Sequence, residues 1–136
     1  MRRRLPILAT NVVHSAFRDF GIRGWENKQI VIGRYVIMPD HVHVFVSGPQ
    51  EFRLEQWGRM LKLVLGRATQ MGRALRRRAT AVSEIWERGF FDHVIRNAES
   101  YAQKWEYVRQ NPVRAGLVER VEEWPYQGEM IEIRRD

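Results

Sequence analysis

The chain has no cysteine. That excludes disulfides, cysteine-based zinc sites and thiol nucleophiles together. It also lacks long hydrophobic runs, and no window approaches the roughly 20 apolar residues a membrane-spanning helix needs. The basic start, Met1-Arg-Arg-Arg, is like that of a secretory leader. The apolar stretch behind it, Leu5 to Ala9, is too short for a leader's core and runs into Asn11 and a helical pattern. A cytoplasmic protein is therefore expected. Acidic side chains are in the minority, 16 against 23 Lys and Arg, which gives a formal net charge of +7. Most of the cations are arginines. Arginine forks match phosphate oxygens bidentately and stack on bases, so nucleic acid is the leading partner class.

What remains is an ordinary globular composition: 136 residues, 44% hydrophobic and 29% charged. This is enough for one domain with a real core, residues 1–136, and too little for two.

The stretch that organises the chain is Val-Ile-Met-Pro-Asp-His-Val-His-Val-Phe, from Val36 to Phe45. Ile30 to Met38 reads as a strand, with Gly33 marking a bulge. Pro39-Asp40 makes a tight turn, and His41 to Ser47 is the returning strand, ended by Gly48-Pro49. Residues two apart in a strand share a face, so His41 and His43 project together, with Cα atoms about 7 Å apart. That is chelating distance for a metal ion. Val42, Val44 and Val46 take the opposite face.

Elsewhere the spacing is helical. Val12, Val13, Ala16, Phe17 and Phe20 predict a first helix, capped by Thr10 or Asn11 and stopped at Gly21 or Gly24. His14 falls near its polar side and reads as a surface histidine. Phe52 to Leu75 predicts a long helix with Leu54, Trp57, Leu61, Val64, Leu65, Ala68 and Leu75 as its core stripe. Arg59, Lys62, Gln70, Arg73 and Arg77 form a second stripe of one sign, suited to phosphates. Arg76 to Arg78 begin a loop. Ile85 to Ile95 reads as a bent strand or two short ones, in which Asp92 pairs with Arg96 and His93 is structural rather than a third ligand. Asn97 caps a last helix that runs to Asn111, where Pro112 stops it. Gly116 caps a short turn. Val118 to Asp136 is expected to pack over the domain without regular structure, apart from a short strand near Met130.

The last helix carries an aromatic on the wrong side. At about 100° per residue, Tyr101, Trp105 and Val108 share the core face, and Tyr107 points about 130° from its centre. Its neighbours in projection are Ser100, Gln103, Lys104 and Asn111. A surface tyrosine is the bland explanation. The sharper one is a nucleophile, with the Asn111 amide one turn further along the same face. Tyr101 competes on paper, but it sits on the core stripe. Two imidazoles and an amide oxygen could hold a divalent cation against a DNA phosphate. Tyr107 could then attack in line, releasing a 3′-hydroxyl and leaving a 5′-phosphotyrosine.

Two stretches together resemble a known family. The hairpin Tyr-Val-Ile-Met-Pro-Asp-His-Val-His-Val-Phe-Val is similar to the HUH motif of single-tyrosine transposases of insertion sequences. Trp-Glu-Tyr-Val-Arg-Gln-Asn-Pro-Val-Arg-Ala-Gly-Leu-Val looks like the tyrosine segment of the REP-associated subgroup, and Phe-Phe-Asp-His-Val-Ile-Arg like what precedes it. The resemblance implies an α+β, ferredoxin-like sandwich with an antiparallel central sheet. It implies nicking and joining of single-stranded DNA near a hairpin with Mg2+ or Mn2+, by a monomer or homodimer. It places His41, His43 and Asn111 at the metal and Tyr107 as nucleophile. Arg59, Lys62, Arg73, Arg96, Arg109 and Arg114 are the expected nucleic-acid contacts. Relatives carry a further strand before Leu-Pro-Ile-Leu-Ala-Thr, so a first strand that is lost, misassigned or supplied by a partner chain is expected here. The alternatives are a non-catalytic, sequence-specific DNA-binding domain or another HUH enzyme, a replication initiator or relaxase. The Asn-Pro-Val-Arg context argues against the last.

Overall fold

The computed structural model describes residues 8–69, 93, 94 and 98–130. Helix α1 spans Asn11–Lys28, and strands β1 and β2 span Val31–Ile37 and Val42–Ser47. Helix α2 is Leu54–Ala68, and β3 is His93–Val94. Helices α3 (Ala98–Arg109) and α4 (Asn111–Arg114) follow, then a 3₁₀ turn at Val121–Glu123 and strand β4 at Gln127–Glu129. The architecture is α+β.

The hairpin is built as its pattern predicts. The Met38 N–H donates to the His41 carbonyl at 2.8 Å, closing the Pro39-Asp40 turn, and the Leu8 N–H donates to the Pro39 carbonyl at 2.8 Å. The β1–β2 register shifts between Ile32 and Tyr35, so a bulge lies at Gly33. That shift puts Tyr35 and Ile37 on the same face as Ile32.

Alternation then divides the core between two faces of the sheet. Val42, Val44, Val46, Ile32, Tyr35 and Ile37 pack under Val13 and Phe17 of α1 and Trp57, Leu61 and Leu65 of α2. The other face carries Val36, Met38 and Phe45, covered by Val108 of α3 and Trp124. Each fully buried aliphatic side chain contributes about 1.5–3 kcal/mol. The sheet is thus clad on both sides, and both histidines belong to the α3 side.

The strand order is β3-β2-β1-β4. β1 is antiparallel to both β2 and β4. β2 and β3 instead pair in parallel, Phe45 opposite His93 and Val46 opposite Val94. The central β2-β1-β4 sheet is antiparallel as expected, and only the two-residue β3 joins it in parallel. The connection from β2 passes through α2, and a helical crossover can return a strand in the same direction. The expected loss of a first strand concerns residues before Leu8, outside the described ones.

Several boundaries move. Thr10 caps α1 as expected, its Oγ1 accepting from the Val13 N–H at 3.2 Å. The helix does not stop at Gly21 or Gly24. It runs on to Lys28 and ends at Gln29, whose φ of 56° is left-handed. Gly21 is there for proximity, since a Cβ at that position would lie 2.7 Å from the Met130 sulfur and 3.0 Å from Ile32 Cδ1. Val12, expected in the core, is exposed.

Helix α2 ends at Ala68, and the expected stretch from Gln70 to Leu75 lies outside the described residues. The buried Thr69 turns its hydroxyl back to the Gly66 carbonyl at 2.7 Å, while its own backbone is extended. Helix α3 ends at Arg109, and Pro112 sits in the first turn of α4 rather than stopping α3. Gly116 ends that turn with φ 74°. The expected short strand near Met130 is present as β4, with a 3₁₀ turn before it. Trp124 donates its indole N–H to the Ile37 carbonyl at 3.0 Å, which docks β4 beside β1.

Candidate active site

The site is assembled on the α3 side of the sheet. His43 lies in β2 opposite Val36 of β1, and His41 stands at the turn just before β2. Their rings are 4.9 Å apart between centroids and nearly perpendicular, at 86°. The His41 Nδ1–H donates to Asp40 Oδ1 at 2.6 Å. That bond fixes the tautomer and leaves the Nε2 lone pair as a metal donor, the usual carboxylate support of a ligating histidine. The chain could have suggested Asp40 as a functional residue, because it immediately precedes the first histidine. Among the described residues, no group of three or more His, Cys, Asp or Glu could hold a metal. The imidazole pair by itself offers two nitrogen donors, so any cation there would need further ligands from elsewhere.

Helix α3 crosses this face through its apolar stripe. Val108 is buried, and Trp105 meets Phe45 edge-on with centroids 6.2 Å apart. Arg34, in the β1 bulge, lays its guanidinium 5.4 Å from the Trp105 ring and reaches Glu129 of β4 at 3.5 Å. No local pattern reveals Arg34, because its partners lie 71 and 95 positions away. With Trp105 and Val108 turned to the sheet, Tyr107 faces outward and is 68% exposed.

Arg114 of α4 ties this corner together. Its guanidinium stacks 4.1 Å from the Tyr107 ring centroid, donates to the Tyr107 carbonyl at 2.8 Å and donates to Asn111 Oδ1. Tyr107, Asn111 and Arg114 thus form one cluster. Among the described residues, the contacts of the Tyr107 ring run to Arg114 rather than to either imidazole. Helix α3, which carries Tyr107, and the two histidines lie on the same side of the sheet.

The basic residues do not all converge. Arg109 is part-buried and lies 3.8 Å from Glu106. Arg59, exposed, and Lys62, half-buried, lie on α2, across the sheet from the histidines. Arg59 lines a cleft of about 820 Å³ between α1 and α2, with Arg23, Lys28 and Arg53 on its rim and Phe20 and Phe52 in its wall. Arg73 and Arg96 fall outside the described residues, as do Gln70, Arg77, Asp92 and the stretch 85–91. The side chains of His93 and Tyr101 are likewise not described.

A second polar cluster went unread in the sequence. His14 is not a surface histidine. Its Nε2 lies 2.6 Å from the hydroxyl of Tyr35, a residue with no exposed surface. Arg18 also donates to that hydroxyl, at 3.1 Å. With Arg18 on the oxygen, the Tyr35 proton is directed to His14 Nε2. Burial, followed by the Arg18 charge, pushes the His14 pKa below its usual 6.5. Burial raises that of Tyr35 above 10, against the opposing pull of Arg18. The pair is held neutral.

Comparison with known proteins agrees with the hairpin and the tyrosine helix. Residues 1–111 match the family described as IS200-like transposases. The chain belongs to that family. A REP-associated tyrosine transposase of Escherichia coli K12 is 26% identical over 127 residues, covering 91% of this chain and 68% of the relative. A putative REP-associated tyrosine transposase of Haemophilus influenzae Rd is 32% identical over 99 residues, covering 66% and 53% respectively. The chain thus spans about half to two thirds of these two transposases. No solved structure matches. Among the described residues of this IS200-like transposase, no helix is long and apolar enough to cross a membrane.

Proposed function

We propose that this IS200-like transposase nicks and rejoins single-stranded DNA through Tyr107. The observation that carries the reading is the His41–His43 pair, with Asp40 fixing His41, on the sheet face that α3 covers. His41 Nε2, His43 and the Asn111 amide would hold a divalent cation, Mg2+ or Mn2+. Imidazole alone does not single out either metal. Bound there, the cation would neutralise charge on a non-bridging phosphate oxygen. The Tyr107 oxygen attacks phosphorus, its proton passes to solvent, and the bond to the 3′-oxygen breaks. The 3′-oxygen leaves as a hydroxyl, and a 5′-phosphotyrosine remains. The covalent link conserves phosphodiester energy, so a strand can be rejoined without ATP. Arg109 and Arg114 line the α3–α4 side, where the strand would pass. The active unit is a monomer or a homodimer, and the single-stranded substrate carries a hairpin.

The test is covalent trapping. A labelled single-stranded hairpin oligonucleotide should become protein-linked with Mg2+ or Mn2+. Tyr107→Phe should abolish the adduct, and His41→Ala should lower it severely. An adduct that survives in Tyr107→Phe rules out this nucleophile.

A second reading, DNA binding without catalysis, is favoured by the basic α1–α2 cleft and by the Tyr107 ring contacts, which run to Arg114. It leaves Arg59, Lys62 and Arg73 important and His41 and Tyr107 dispensable. Salt-dependent binding with no adduct under any metal condition supports it.

A further inference from the structure

Arg114 occupies two positions that the proposed reaction needs free. Its guanidinium donates to Asn111 Oδ1, the oxygen assigned to the metal, and covers the ring of Tyr107, the assigned nucleophile. A third bond, to the Tyr107 carbonyl, anchors it to the end of α3. The arrangement is not a by-product of core packing, because Arg114 and Tyr107 are both exposed. The family match ends at Asn111, so Arg114 lies just beyond it.

A guanidinium and a divalent cation compete poorly for one amide oxygen. The two positive charges repel at about 4 Å, an effect weakened by water and salt but not abolished. A DNA phosphate changes the balance. Guanidinium binds an anionic, forked phosphate better than a neutral amide, because the bonds are charge-assisted and bidentate. We propose that Arg114 is a DNA-released latch: without DNA it keeps a divalent cation off Asn111 and holds Tyr107 stacked, and a strand phosphate draws it away from both. This rests on the reading of Asn111 as a metal ligand. It makes Arg114 a positioning residue that couples metal loading to substrate. By linkage, DNA and metal must then tighten each other's binding by the same factor.

The coupling is measured without catalysis. Mn2+ affinity is read from the free-ion electron paramagnetic resonance signal, with and without a single-stranded hairpin oligonucleotide. The full-length chain carries Tyr107→Phe, which keeps the ring and removes the nucleophile. In that background DNA should tighten Mn2+ about tenfold, a modest surface-charge effect. Adding Arg114→Ala should tighten Mn2+ by a similar factor in the absence of DNA and shrink the further effect of DNA. Independently, nuclear magnetic resonance of the unsubstituted chain should show Arg114 side-chain protons shielded by the Tyr107 ring, and the shielding should fall on DNA addition without metal.

Equal Mn2+ affinities with and without Arg114→Ala overturn the latch, as does ring shielding that persists in the DNA complex. If Asn111→Ala still weakens Mn2+ in that case, the metal reading stands and only the latch fails. If His41→Ala and His43→Ala leave Mn2+ affinity unchanged, the metal reading itself has failed.

Discussion

The two faces of the sheet carry polar groups in different ways. On the α1 side, the half-buried His14 and the exposed Arg18 both bond the hydroxyl of Tyr35, which lies in the larger apolar cluster. On the α3 side, among the described residues, the apolar cluster is smaller. There the polar groups stand at its rim: His41 with Asp40 at the hairpin turn, and Arg114 with Asn111 of α4 and Tyr107 in the last turn of α3. Polar groups that converge on one buried hydroxyl are committed to holding the fold. Polar groups at the margin of a packed face keep fixed positions and can still exchange partners. The candidate chemistry lies on the second kind of face for that reason.

The sharpest way to break this comparison is to cut into each core. Leu61 has no exposed surface in the larger cluster, so Leu61→Ala should cost about 2–5 kcal/mol in denaturant unfolding. Val108→Ala, in the smaller cluster, removes less carbon and should cost about 1.5 kcal/mol. Equal losses would show that the two faces contribute alike.

Next in size, Tyr35→Phe removes the hydroxyl that joins His14 and Arg18, and should cost about 1–3 kcal/mol. The sign of the pH dependence follows from the same cluster. His14 has a folded pKa below 6.5, so its contribution is present above pH 6.5 and is lost as pH falls toward the folded value. Tyr35 has a folded pKa above 10, so its contribution is present below pH 10 and is lost as pH rises through the folded value. Thermal unfolding at pH 7.5 and 5.5 should therefore show a smaller acid loss in His14→Gln than in the parent chain.

Thr10→Ala removes the cap of α1 and should cost about 1 kcal/mol on the helical face, leaving Mn2+ affinity unchanged. The smallest effect is electrostatic. Arg59→Ala should lower the slope of log binding constant against log salt by about 1 if the α1–α2 cleft meets a phosphate. An unchanged slope assigns nucleic-acid binding to the histidine side alone.

How much was legible depends on how far apart the partners are. His41 and His43 could be placed on one face from a period of two, and Tyr107 off the core stripe from a period of 3.6, because both facts are local. Arg114 was legible in part: it stands three positions after Asn111 and seven after Tyr107, helical spacings across the break between α3 and α4. Gly21 was misread as a stop because its partners, Ile32 and Met130, lie 11 and 109 positions away. His14 was misread because Tyr35 lies 21 positions away, and a β1 bulge decides which face Tyr35 takes.

The sequence by itself determined the hairpin, the paired imidazoles, the outward tyrosine and the family, since each rests on backbone periodicity or on a contiguous motif. Only the tertiary structure decided that β3 joins the sheet in parallel, that Arg34 stacks on Trp105, and that Arg114 binds the amide and ring the reaction would use. The first two join residues far apart in the chain, and the third crosses the break between α3 and α4. Spacing within one element does not carry the geometry between elements that packing brings together.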